Sequence, residues 1–247
     1  MAYQNLKDAG LLDSCQIKEV IKEYLRFETR FVMENIWLRR QHRQHVMQSF
    51  NQSDINNFKK MVCRENCVIV TAHFSGLMEI VELSRLTGCP ATLIAANTMT
   101  QPWSCATPVQ RSMIMLYRSW MNHQPLIFSD EENMMEKSYN VLLSKKSMIV
   151  AADVPGYKGV QVPMFGKSLW VPAGPAIMAW KCNVPILVAI PWASAFDKPY
   201  RIFLRKIPAS NDMNAVMAKI FEYIETVVRL NPAGWNGWLY LHRMVAQ

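Results

Sequence analysis

The chain has 247 residues, 51% of them hydrophobic and 19% charged, which excludes a disordered polypeptide and fits one large α/β domain or two small ones. A formal charge of +8 and a pI near 9.2 favour an anionic partner. With no zinc finger, RNA-recognition signature or continuous basic arm, nucleic acid is set aside in favour of an anionic membrane surface or an acidic carrier protein.

Residues 1–13 lack an apolar segment behind a basic start, so no signal peptide is expected. No run of about eighteen apolar residues occurs, so a chain of this kind working at a membrane is expected to lie on it rather than span it. Ile17, Val20, Ile21, Tyr24, Leu25, Phe27, Phe31, Val32 and Ile36 recur at helical spacing and predict an amphipathic helix over 14–50. Its far end is basic (Arg39, Arg40, His42, Arg43 and His45 beyond Trp37), which suits either a helix C-terminus or lipid phosphates. Seventeen Met and eight Trp suit a surface that meets acyl chains, or a Met-rich core.

A short helix is predicted through Phe58 and Met61. Cys67 to Ala72 is a β-branched apolar run typical of a buried parallel strand, and Leu77 to Leu86 has helical spacing ending at Gly88. Strands are predicted at 90–95, 125–128, 147–152, 184–190 and 200–205, and helices at 108–121, after Ser129 or Asp130, at 176–181 and at 214–230. A loop rich in Gly and Pro occupies 155–174. Alternating strands and helices imply an α/β fold: a single domain with a central, mostly parallel sheet flanked by helices, plus an N-terminal amphipathic helix. The expected division is a helical region over 1–50 and an α/β domain over 51–247.

The six cysteines form no CxxC pair, and the four-residue step from Cys63 to Cys67 has no nearby His. They are read as reduced thiols of a cytosolic protein, and no metal is implied.

His73 stands between a buried strand and a helix, where sites form in open α/β sheets. An imidazole with an ordinary pKa of about 6.5 can take a proton from an alcohol or amine attacking a thioester. The base needs a carboxylate partner, and Glu79 and Glu82 are the nearby candidates. The same position suits a helix N-cap or a core histidine. Further on, Lys158 and Lys167 flank glycines, including Gly166, that let an anion approach the backbone. They could hold the phosphates of a lipid head group or a pantetheine arm, or sit exposed on a β-hairpin. The aromatics of Gly234 to Arg243 suit an interfacial belt or a core closure.

Taken in order, strand-His73-Phe-x-Gly with Glu79, then Ala152-Asp153 with Lys158-Gly-Val-x-Val-Pro-x-Phe-Gly166, then Trp238-Leu-x-Leu-His-Arg243, the chain resembles the late lipid A acyltransferases. These belong to the lysophospholipid acyltransferase superfamily, and the resemblance covers roughly 60–245. It implies a His–carboxylate dyad acting on a hydroxyl, with His73 as general base. It implies an acyl thioester donor on acyl carrier protein or coenzyme A, no tightly bound cofactor, and a membrane glycolipid acceptor. Asp153, Lys158, Gly166 and Lys167 fall at the family's second substrate-site segment. The implied location is peripheral, at the cytoplasmic face of the bacterial inner membrane. The chain departs from the pattern in one spacing. The family has four residues between His and acid, whereas five separate His73 from Glu79, and Met78 stands at the acid's place. Glu79 is the first candidate and Glu82, one turn on, the reserve. The altered spacing also admits transfer of a small aminoacyl group such as glycyl, or a non-catalytic module that binds membrane or carrier.

Overall fold

The computed structural model describes residues 2–37, 47–95, 125–155 and 159–246. Two helices open the chain, α1 (Ala2–Asp8) and α2 (Ser14–Trp37), followed by α3 (Gln52–Val62). The basic cluster from Arg39 to His45, the helix expected at 108–121 and Lys158 lie outside the described residues.

The central elements alternate as the apolar runs predict. They are β1 (Val68–Thr71), α4 (Leu77–Leu86), β2 (Ala91–Ala95), β3 (Leu126–Phe128), α5 (Met134–Leu143) and β4 (Ser147–Ala151). After a hairpin, β5 (Val160–Met164) and β6 (Lys167–Val171), come α6 (Gly174–Cys182), β7 (Ile186–Trp192), β8 (Arg201–Ile207) and α7 (Met213–Leu230). Three short 3₁₀ turns, Pro232–Gly234, Asn236–Leu239 and Leu241–Arg243, end the chain.

Six strands form one sheet in the order β3-β2-β4-β1-β7-β8. Every pair is parallel except β7–β8, so the mixed α/β fold with a mostly parallel sheet is the observed one. Parallel sheets are covered on both faces. In β1, accordingly, Val68 and Val70 enter one core with Met148, Ile186 and Val188, while Ile69 enters a second with Ile149, Leu187 and Ala189. The first core is closed by α7, whose Val216, Ile220, Ile224 and Val227 repeat at three- and four-residue steps. Asp212 starts that helix by accepting the Ala215 N–H at 2.9 Å. The N-terminal helices share these cores: Leu6 and Ile17 pack in the first, Tyr24 and Phe27 in the second.

Two expectations change. The segment expected as loop holds the β5–β6 hairpin, because Val-Gln-Val-Pro-Met and Lys-Ser-Leu-Trp-Val alternate buried and open positions around a two-residue turn. That turn needs positive φ at both residues and has it, 51° at Phe165 and 70° at Gly166. The reading of all cysteines as reduced thiols is also corrected. Cys63, at the end of α3, and Cys89, just before β2, are disulfide-bonded with Cα atoms 5.6 Å apart. They are 26 residues apart in sequence and meet only because α4 folds back between them.

Candidate active site

The ladder between β1 and β4 runs Val68↔Met148 to Thr71↔Ala151. Both chains continue for two residues past the last pair, which brings His73 opposite Asp153. The His73 Nδ1 lies 2.8 Å from Asp153 Oδ1, and the His73 backbone N–H donates to the same carboxylate at 2.9–3.0 Å. Both groups stand at the carboxyl end of the parallel strands, where open α/β sheets place their sites. The Asp153 side chain is 0% exposed, while that of His73 is 35% exposed. The pair therefore has one dry end and one end open to an incoming molecule.

The C-terminal turns complete the carboxylate's surroundings. Trp235 Nε1–H donates to Asp153 Oδ2 at 2.7 Å and Tyr240 O–H to the same oxygen at 3.3 Å. The backbone of this segment lies along the histidine. The Asn236 N–H donates to the His73 carbonyl at 2.7 Å, and the Ser75 N–H to that of Gly234 at 3.2 Å. The Tyr240 ring meets the imidazole edge-on at 5.9 Å between centroids. Gly237 is required here, since a Cβ on it would fall 2.0 Å from the Trp235 ring. From the other side, α2 brings Glu28 against Asn236, with Tyr24 also hydrogen-bonded to that carboxyl. Burial pushes the Glu28 carboxyl above its usual range, although hydrogen bonds from Asn236 and Tyr24 pull it back.

Two effects compete on the imidazole. Burial disfavours the charged ring, whereas the charge and hydrogen bond of Asp153 favour it and prevail, so the His73 pKa lies above its ordinary value. The Tyr240 phenol is pushed strongly upward, by burial and then by the Asp153 charge and hydrogen bond, so it stays a protonated donor.

The expected partner of His73 is thereby corrected. Glu79 is fully buried in the first turn of α4, and Glu82, the reserve, is buried and ion-paired with Arg85. Neither is the carboxylate on Nδ1, because the neighbouring strand delivers Asp153 directly across the ladder. Asp153, expected among the substrate-binding residues, is that partner. Gly166 and Lys167 belong to the hairpin turn, which meets the site through Phe165. The Phe165 ring stacks on Trp238 at 5.2 Å and lies 5.8 Å from Trp235, and its N–H donates to Glu225 at 2.9 Å. Lys167 is partly exposed at the start of β6. Among the described residues no cluster of His, Cys, Asp and Glu could hold a metal ion.

Nothing in the spacing of Trp235 and Tyr240 along the chain marks them for this role. The signal for Asp153 was present, since Met-Ile-Val-Ala-Ala-Asp153 repeats the pattern of Val-Ile-Val-Thr-Ala-His73.

These features define an α/β protein with a histidine and a buried carboxylate joined at the carboxyl ends of adjacent parallel strands. The chain belongs to the family of bacterial lipid A biosynthesis acyltransferases, which it matches over residues 13–245. It is thus an acyltransferase for lipid-type substrates. In structure it is also similar to the 1-acyl-sn-glycerophosphate (LPA) acyltransferase PlsC from Thermotoga maritima. That likeness has a TM-score of 0.40 at 15% identity and covers 92% of this chain and 99% of that one. No curated protein matches the chain.

Proposed function

We propose that the protein transfers an acyl group from a thioester, carried by acyl carrier protein or coenzyme A, to a hydroxyl of a lipid A-type glycolipid. The observation that carries this reading is the 2.8 Å contact between His73 Nδ1 and a fully buried Asp153 on a ring that remains one-third exposed. With Nδ1–H donated to Asp153, Nε2 is the nitrogen that takes the hydroxyl proton as the oxygen attacks the thioester carbonyl. The new C–O bond forms, the C–S bond breaks, and the imidazolium returns its proton to the departing thiolate. Asp153 stabilises that imidazolium and holds the tautomer, while Trp235 and Tyr240 keep the carboxylate in place.

The acid missing at Met78, which favoured a non-catalytic module, is supplied from β4. Among the described residues no helix is long and apolar enough to cross a membrane. The charge of +8 suits peripheral attachment to an anionic surface, here the cytoplasmic face of the inner membrane.

The test is mass spectrometry of lipid A incubated with purified protein and acyl-carrier-protein or acyl-CoA thioesters, compared with His73→Ala. The expected result is a mass gain of one hydrocarbon chain, reduced about 10²–10⁴-fold in the variant, the usual contribution of a general base. A gain too small for a hydrocarbon chain, seen only with an aminoacyl carrier protein, would replace fatty acyl by aminoacyl transfer. Undiminished transfer by His73→Ala would reject the mechanism.

A further inference from the structure

The end of the sheet opposite His73 holds a concavity of about 360 Å³. Its position follows from the topology. Cys67 lines it and immediately precedes β1, Pro185 and Leu187 lie at the start of β7, and Leu204 and Lys206 lie in the last part of antiparallel β8. From Cys67 to His73 is six residues of extended chain, about 20 Å. The cavity is therefore separate from the His73–Asp153 site.

Its chemistry is divided. The floor is apolar, with Met61, Leu187 and Leu204, and the Cys67 thiol there is kept neutral by burial, which pushes its pKa up to about 11. The rim carries Lys60, Arg64 and Lys206 together with the carboxylate of Glu65. Lys206 is paired with Glu65, but among the described residues neither Lys60 nor Arg64 has an acidic partner. The helix dipole accounts for a lysine in the last turn of α3. It does not account for Arg64, beyond the helix, or for Lys206 on another element, converging on one apolar floor. The wall is also held in advance. α3 supplies Asn57, Lys60 and Met61, and its C-cap Cys63 is bonded to Cys89. A preformed cavity of this size, mostly apolar with a few convergent charges, is the general form of a small-molecule site.

We infer that this cavity binds an anionic amphiphile, with its head among Lys60, Arg64 and Lys206 and its hydrocarbon on Met61, Leu187 and Leu204. The head is a carboxylate, as in a free fatty acid, or a phosphate monoester, as in a phosphorylated single-chain lipid. The site is a second lipid-binding position, remote from the acyl-transfer site.

The experiment uses the full chain with ¹³C-methyl-labelled methionine, the Met61 resonance being assigned with Met61→Leu. Dodecanoate, dodecyl phosphate and neutral dodecanol are titrated below their aggregation limits. Both anions are expected to shift the Met61 methyl, the preferred one naming the head group, while dodecanol requires a concentration about ten-fold higher or more. Lys60→Glu/Arg64→Glu should raise Kd for the anions about ten-fold, each exposed cation contributing on the scale of a surface ion pair. The milder Lys60→Gln/Arg64→Gln serves if charge reversal impairs folding. His73→Ala should bind unchanged. A Met61 methyl that ignores the anions, equal response to dodecanol, or equal Kd in the charge variants would overturn the proposal. So would binding lost in His73→Ala, which would assign the ligand to the transfer site instead.

Discussion

Asp153 accepts hydrogen bonds from the backbone and ring of His73, from Trp235 and from Tyr240, and it does so out of contact with solvent. Asp153→Asn keeps the shape and removes the charge. In the proposed mechanism the neutral imidazole is the base, so activity should rise as pH rises through the His73 pKa, which Asp153 holds above its ordinary value. In Asp153→Asn the attraction is gone and only burial acts, so the acidic limb of kcat/KM should move to lower pH while the plateau falls about 10²–10⁴-fold. Tyr240→Phe should move the limb slightly the other way, because a carboxylate with one donor fewer holds the imidazolium proton more strongly. A limb that stays put in Asp153→Asn would remove the carboxylate from the protonation equilibrium of His73.

At the scale of elements, the C-terminal turns act as a strap over the strand ends. Gly237→Ala would drive a methyl into the Trp235 ring, whose N–H holds Asp153. Overpacking of this kind costs about 1–3 kcal/mol. The variant should lose activity together with its near-ultraviolet tryptophan dichroism. Gly174→Ala, where a Cβ meets nothing within 4 Å, should change neither. The strands and helices were legible in the sequence because β-branched runs and three-to-four spacing report burial directly. The pairing of His73 with Asp153 was not, although both strand ends were recognised. Helical spacing points a histidine to acids a turn or two ahead, hence Glu79 and Glu82. The true partner depends on β4 lying beside β1, and the order β3-β2-β4-β1-β7-β8 is a property of the assembled sheet. The Cys63–Cys89 pairing was hidden for the same reason, since spacing alone does not show that α3 and the start of β2 are neighbours.

For the molecule as a whole, the disulfide joins the end of α3 to the segment between α4 and β2. Cross-linking residues 26 apart restricts the unfolded chain by about 3–4 kcal/mol. Cys63→Ser/Cys89→Ser, or reductant with the wild type, should therefore lower Tm by roughly 2–4 °C for each kcal/mol lost. An unchanged Tm would mean that the two thiols are not bonded in solution.

The same bond also gives the backbone a closed ring. β1, His73 and α4 all lie between Cys63 and Cys89, so a cut within that ring does not divide the protein. A protease site placed at Gly88 would leave a nicked chain that migrates as one band on a non-reducing gel and as two after reduction. A cut outside the ring would release two pieces under either condition.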